Sequence, residues 1–385
     1  MSLIKIFETK LSLILFMILL LTGDTLTKIF FNDSISYAWC FKASISFLLL
    51  VNLFFFKKKL FIQLSILLAI IFLVGVLNYQ SNFIPKISLF FEYISGILIF
   101  NYLFLNNQRE FLDKLLFCVF AFYMGTIIVA AIFEIKFLKT YGSYRFGYMP
   151  FFSSQNEFSF MMIAIIVYFF KTFLNKNSLI NLVLLGFSII SGLLVGTKAI
   201  YIFILIFITF LIFKYLKFKK AAIVYGLILV FTFLLRNVIF MFFDNHFKTL
   251  VDVYREKGIL DTVLSLRLSL LKDRLMCQTS DLNFLNYLFG GINLNCITEM
   301  SIIDILLFFG VLGSAYYFYL YKTEIYNKLN LDNFGNLMIL VIVGLSFAGG
   351  YFFENFSAQF YVISVLYVYY SKSSNASSDN KIMIT

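Results

Sequence analysis

The sequence predicts an all-α polytopic integral membrane protein with about 12 transmembrane helices and one long outer loop containing an amphipathic helix. Three observations predict it. Of the 385 residues, 61% are hydrophobic and only 13% are charged, about half the charged share of an ordinary soluble domain. The mean hydropathy is +0.92, so the chain lacks the polar residues that a water-soluble fold of this size needs for its shell. Apolar runs of about 20 residues, long enough to cross a bilayer, recur along the whole chain. These features exclude a soluble enzyme, a disordered chain and a coiled coil. Residues 1–385 read as a single membrane domain.

The first apolar run follows Lys5 and Lys10 and resembles a signal peptide, but it lacks a small-x-small cleavage site and further spans follow it, so it reads as a retained helix. Runs bounded by charges, Asn or Gly place the first six spans at 11–29, 36–56, 60–78, 87–105, 112–134 and 157–174. The other six fall at 178–196, 199–216, 221–242, 301–321, 335–350 and 357–370. Short loops rich in Lys and Arg stay in the cytoplasm. Lys57, Lys58 and Lys59 follow the second span, Arg109 and Lys114 the fourth, and Lys171 and Lys176 the sixth. Lys214, Lys217, Lys219 and Lys220 follow the eighth, Lys322 and Lys328 the tenth. Both termini are therefore expected in the cytoplasm, with 371–385 a polar cytoplasmic tail. The net charge of +11 fits this topology and anionic lipid better than nucleic acid.

One connection is long. Residues 243–300, between spans nine and ten, keep Leu260, Val263, Leu264, Leu268, Leu271 and Leu275 at helical spacing, which predicts an amphipathic helix on the outer membrane surface. A loop longer than about 15 residues is usually functional or disordered, and this composition is not that of disorder. Nineteen glycines and two prolines are few for a transporter built on broken helices. Four cysteines without C-x-x-C spacing and a single histidine, His246, point to no metal and no cofactor. Cys277 and Cys296 both fall in the outer loop, where an oxidising exterior allows them to pair.

Ionisable groups inside a bilayer are functional candidates by default, because each costs at least ~2.5 kcal/mol to insert. Asp24, Lys42, Glu92 and Arg236 read first as structural partners or helix-end charges. Lys198, in Gly196-Thr197-Lys198, is an outer turn residue or a functional cation. Arg145 lies beside Ser153-Ser154-Gln155-Asn156-Glu157, which opens the sixth span. A helix N-terminus at Asn156 with a guanidinium fork nearby suits an anion; a surface arginine beside an ordinary cap is the plain alternative. Arg267 and Arg274 are seven residues apart, two helical turns and about 10 Å along the axis, so on a helix they point one way and suit a diphosphate or, alternatively, anionic lipid. Glu299 stands where the chain re-enters the membrane, a depth at which a carboxylate becomes a better proton acceptor. Asp304 lies roughly 140° around the helix from it, and Glu354 is a further acidic candidate before the last span. Gly310 and Gly313 read first as a helix-packing pair.

In this order these residues resemble the O-antigen polymerase and ligase superfamily, the Wzy-type glycan polymerases. The resemblance rests on Arg145-Phe146-Gly147 followed by Asn156-Glu157, on Gly196-Thr197-Lys198-Ala199, and on the long outer loop before Glu299. A ligase-like closing pattern follows, with Glu299 and Met300 at its first two positions and Gly310 and Gly313 at its glycines. The sequence departs from the family where Lys198 stands in place of an Arg after Ser, and where Glu299 stands in place of the ligase His. The second departure favours polymerase over ligase.

The resemblance implies metal-independent, inverting glycosyl transfer at the periplasmic face of the bacterial inner membrane, with polyprenyl (undecaprenyl) diphosphate-linked oligosaccharides as donor and acceptor. A chain-length regulator protein is a possible partner, besides membrane lipids. In that chemistry Arg145, Lys198, Arg267 and Arg274 stabilise the diphosphate leaving group, and Glu299 deprotonates the acceptor hydroxyl. The alternatives are a ligase that passes glycan to lipid A core or protein, and a lipid-linked oligosaccharide flippase or transporter. A flippase should carry its charges along a central cavity rather than at one face.

Overall fold

Helices make up almost all of the regular structure in the computed structural model, which describes residues 10–30, 37–77, 83–140, 146–152, 154–216, 218–237, 241, 244, 248–263, 267–279, 284–291, 296–348 and 351–372. Arg145, Ser153, His246, Leu264 and most of the predicted tail lie outside the described residues. In chain order the helices are α1 (Lys10–Phe30), α2 (Tyr37–Phe56), α3 (Lys58–Leu77), α4 (Phe83–Asn106), α5 (Arg109–Ile132), α6 (Gln155–Asn175), α7 (Leu179–Val195) and α8 (Lys198–Tyr215). They continue with α9 (Phe218–Leu234), α10 (Lys248–Val263), α11 (Arg267–Thr279), α12 (Phe284–Phe289), α13 (Ser301–Glu324), α14 (Asn333–Ala348) and α15 (Phe356–Tyr370). The described parts of the twelve segments expected from apolar runs overlap helices α1 to α9 and α13 to α15; residues 238–240 and 242 of the ninth segment lie outside the described residues.

Among the described residues, six helices are long and apolar enough to cross a membrane: Lys10–Ile29, Pro85–Asn106, Arg109–Ile132, Gln155–Asn175, Lys198–Tyr215 and Ser301–Lys328. Phe41–Phe56, Leu179–Val195, Asn333–Ala348 and Phe356–Tyr370 are shorter and apolar. The apolar helices suggest a membrane-embedded protein. Residues such as Phe54, Phe122, Leu205 and Leu340 present exposed apolar side chains on them, a surface suited to lipid rather than water.

The chain divides into two compact units, one of residues 1–121, 151–164 and 269–385, the other of 122–150 and 165–268. In the first, α4 is central, with α2, α3, α13 and α15 packed on it and α1 packed on α2. Tyr93, Ile94, Ile97, Leu98 and Phe100 are accordingly fully buried, as expected for a helix apolar on every side. Local chemistry sets the helix starts: Asn355 Oδ1 accepts from Ala358 N at 3.0 Å before α15, and Asp332 Oδ1 accepts from Gly335 N at 2.8 Å before α14. Both are side-chain caps on amides that the helix itself leaves unpaired. In the second unit, α7 packs on α8 and α8 on α9. Gly196, with φ 77°, ends α7 in the left-handed conformation, a common glycine stop.

Two glycines break helices that the sequence presents as continuous. Gly258, at φ 83°, interrupts α10 just before Leu260; the described residues of the amphipathic stretch fall on the end of α10 and on α11, and 264–266 between them lie outside the described residues. Gly310, at φ 68° and ψ −179°, interrupts α13. This corrects the helix-packing reading of Gly310: a Cβ there would strike the backbone of Leu288, Phe289 and Gly290. The break is where the Phe289-Gly290-Gly291 turn enters, and Ser314 Oγ donates at 3.0 Å to the Ile305 carbonyl beside it. The scarcity of Gly and Pro therefore does not mean unbroken helices. Gly310→Ala is expected to lower the thermal unfolding midpoint in detergent. The backbone region alone costs a non-glycine residue about 1–3 kcal/mol, and the collision with Phe289 and Gly290 adds to it. An unchanged midpoint would mean that the helix runs straight.

Candidate functional site

Charged side chains of the first unit gather at one set of helix ends. Asp24 comes from the last third of α1, Lys42 from the start of α2, and Glu157 from the first turn of α6. Lys42 Nζ lies 3.1 Å from Asp24 Oδ1 and 2.9 Å from Glu157 Oε1. Ser357, in the first turn of α15, donates to Asp24 Oδ2 at 3.1 Å. Asp24 and Glu157 are 2% and 0% exposed, so Lys42 pairs with two carboxylates withdrawn from water. Such a triad is tolerable only with close pairing and further hydrogen bonds. Glu92, in α4, interacts electrostatically with both Lys42 and Glu157. Of the residues read from sequence as helix-end charges, Asp24, Lys42 and Glu92 thus belong to one cluster, whereas Arg236 is an exposed residue of the second unit.

Gln359 contacts α4 at this point. Its Oε1 accepts from Gly96 N at 2.8 Å and from Tyr321 OH at 2.6 Å. Its Nε2 donates to Glu92 O at 2.9 Å and to Phe353 O at 2.8 Å. The amide group therefore bonds to the backbone of α4 at both Glu92 and Gly96 and ties α4 to α13 and α15. A Cβ at position 96 would meet Tyr321 OH and Gln359 Oε1, so any larger residue there has to displace these side chains. Sequence reasoning missed Gln359. Its signal was an amide in an otherwise apolar helix, where both ends of the group must find partners.

Glu299 sits in the turn that leads into α13. Its φ of 62° is left-handed, a conformation that costs a residue with a Cβ about 1–3 kcal/mol and collects at functional sites. Asp304 holds the turn: its Oδ1 accepts from Thr298 N at 2.8 Å and Thr298 Oγ1 at 2.9 Å, and its Oδ2 accepts from Met300 N at 3.1 Å. Asp304 is fully buried and Glu299 half-buried. Asp304 therefore acts on the turn preceding its own helix, positioning Glu299.

Glu354 accepts from Tyr93 OH at 3.1 Å. Withdrawal from water and the neighbouring Asp304 charge raise its carboxyl well above the usual range, and Glu92 and Glu299 add to the rise. The folded chain thus holds this proton more tightly than the unfolded chain. Stability from the group is complete below the ordinary carboxylate range and is lost as pH rises through the raised folded value. Glu354→Gln is accordingly expected to raise the thermal midpoint at neutral and alkaline pH and to leave it unchanged at acid pH. Midpoints that stay parallel to those of the native chain from acid to alkaline pH would contradict this.

In the second unit the two glycine motifs meet. A Cβ on Gly196 would strike Phe146 O and Gly147 Cα, and one on Gly147 would strike Val195 O. Tyr148 N donates to Leu194 O at 2.9 Å, and Thr140 N to Gly147 O at 2.9 Å. Arg145 itself lies outside the described residues, but Phe146 and Gly147, which follow it, pack on the turn that begins α8 at Lys198. Lys198 Nζ donates to Thr262 O near the end of α10. Arg267 and Arg274 both belong to α11, on a half-buried face with Leu270, Leu271 and Leu275, while Lys272, Asp273 and Met276 are exposed. The shared face expected from their spacing is therefore present.

Cys277 and Cys296 are joined as a disulfide with Cα atoms 6.0 Å apart, linking the end of α11 to the segment that carries Glu299. Lys198 and Arg267 belong to the second unit, whereas Arg274, Glu299, Asp304, Glu354 and Asn156 belong to the first. Asn156 is half-buried in the first turn of α6, beside Glu157. No protein-family model matches the chain, and no curated protein or solved structure is significantly similar to it.

Proposed function

We propose that this chain is a membrane glycosyltransferase of the O-antigen polymerase type, with about twelve crossings and both termini in the cytoplasm of a bacterial inner membrane. It joins undecaprenyl-diphosphate-linked repeat units at the periplasmic face. The observation that carries the reading is Glu299, held in a left-handed turn by Asp304. It lies at the same helix ends as Asp24, Lys42 and Glu157. With the Lys and Arg distribution read as above, α1 ends and α2, α4, α6, α13 and α15 begin on the outer side, so these groups share the side where carrier-linked glycan is exposed.

In this mechanism Glu299 takes the proton of an acceptor hydroxyl as that oxygen attacks the anomeric carbon. The bond from the carbon to the diphosphate oxygen breaks with its electron pair on the leaving group, and the sugar inverts. The candidates for stabilising the departing charge are the basic side chains Lys198, Arg145, Arg267 and Arg274, the role a metal ion plays in other transferases. The carrier tail stays among the apolar helices.

The broken α13 and the buried ion cluster favour one second reading, a lipid-linked oligosaccharide flippase. The two diverge in their products. Purified protein incubated with lipid-diphosphate-linked repeat units should give a ladder of products on a gel. Transfer of single units to a lipid A core acceptor would indicate a ligase, and transbilayer movement without new glycosidic bonds would indicate the flippase.

A further inference from the structure

At the opposite helix ends of the first unit lies a cavity of about 510 Å³, lined by Lys10, Arg109, Lys114 and Lys372, one acid, Glu110, and aromatic side chains including Phe111. It stands apart from the carboxylate cluster. Along α4, Glu92 and Asn107 are separated by roughly 22 Å at the helical rise. The volume falls within the about 300–1,000 Å³ of small-ligand sites.

The walls of this cavity are held in place. Asn107, at φ 45°, makes the turn between α4 and α5, which brings the first turn of α5 into the lining. Arg109 Nε donates to Val368 O, fixing the start of α5 to the end of α15. Lys372 N donates to Lys328 O at 3.0 Å, and its Nζ to Asn327 O at 2.7 Å. Lys10 Nζ lies 5.7 Å from the centre of the Phe111 ring. Tyr367, 2% exposed, also lines the cavity. Cytoplasmic loops are basic in most membrane proteins. That tendency does not require cations from three elements, α1, α5 and the segment after α15, to surround one cavity.

We propose that this cavity binds a phosphate-bearing ligand: the headgroup of an anionic membrane lipid or a soluble phosphate ester. A guanidinium fork and ammonium groups match phosphate oxygens. The free amides of the α5 N-terminus add partial positive charge, and basic pockets between helices on the cytoplasmic side are a known form of headgroup site. The assignment is independent of the transferase reading.

The test is native mass spectrometry of the full-length protein in neutral detergent, with dioctanoyl phosphatidylglycerol, dioctanoyl phosphatidylcholine and glycerol phosphate as separate probes. Saturable binding of phosphatidylglycerol, at least about tenfold tighter than phosphatidylcholine, with none of glycerol phosphate, supports a lipid headgroup. Equal binding of glycerol phosphate supports a soluble ester. Lys10→Gln with Lys114→Gln, both exposed side chains, should weaken the bound probe by about tenfold or more without moving the thermal midpoint. Lys10→Arg with Lys114→Arg should retain it. Failure of both anionic probes to bind, or binding by the Gln variant equal to that of the native chain, overturns the proposal.

Discussion

Lys42→Met is expected to destabilise the protein by ~3–5 kcal/mol, the usual cost of leaving buried carboxylates without their counter-charge. Two carboxylates lose an ion-pair partner here, since Asp24 and Glu157 both lie within 3.1 Å of Lys42 Nζ. The loss should appear as a large drop in the thermal midpoint in detergent and in the amount of protein recovered from membranes. The distinguishing control is the neutral triple variant, Asp24→Asn with Lys42→Met and Glu157→Gln. It removes the charges together and should recover most of the loss, because apolar or neutral replacement of a whole buried ion cluster is often nearly free of penalty. Equal midpoints for the native chain and Lys42→Met would mean that the lysine carries no stabilising charge interaction in the folded state.

Glu299→Gln is expected to abolish product formation with a loss of about 10²- to 10⁴-fold in rate, the range for removing a general base. Its thermal midpoint should stay near that of the native chain. The side chain is half-buried, and the hydrogen bonds that shape its turn belong to Asp304, Thr298 and Met300. Rate measured on a lipid-diphosphate-linked acceptor together with unfolding in detergent separates the two effects. Retained turnover would move the base elsewhere, with Glu92 and Glu354 the nearest alternatives in charge environment.

The helices were legible because apolar runs and their charged boundaries record depth in a bilayer, and depth is one-dimensional along the chain. What the runs do not record is which helices are neighbours. Lys42 and Glu157 are 115 residues apart, and nothing in either run names the other as its partner, so the ion cluster emerged only with the packing of α1, α2 and α6. Gly310 illustrates a second limit. A small residue suits both close helix packing and a helix break, and only its φ of 68° separates the two. The Gly196 turn was readable as a motif, but its contact with Phe146 and Gly147 depends on backbone proximity between separate loops. The grouping of Arg267 with Arg274 was readable because both lie on one helix, where spacing alone sets direction.

Everything assigned to Glu299 requires that its end of the helices face out of the cell, where carrier-linked glycan is presented. Labelling with a membrane-impermeant maleimide tests this, using Glu299→Cys and, separately, Lys114→Cys in a chain whose Cys40 and Cys118 are replaced by Ser. The account predicts that position 299 is labelled in intact spheroplasts and position 114 only after the membrane is opened. Labelling of position 114 but not 299 in sealed spheroplasts would put the carboxylates on the cytoplasmic side and contradict it.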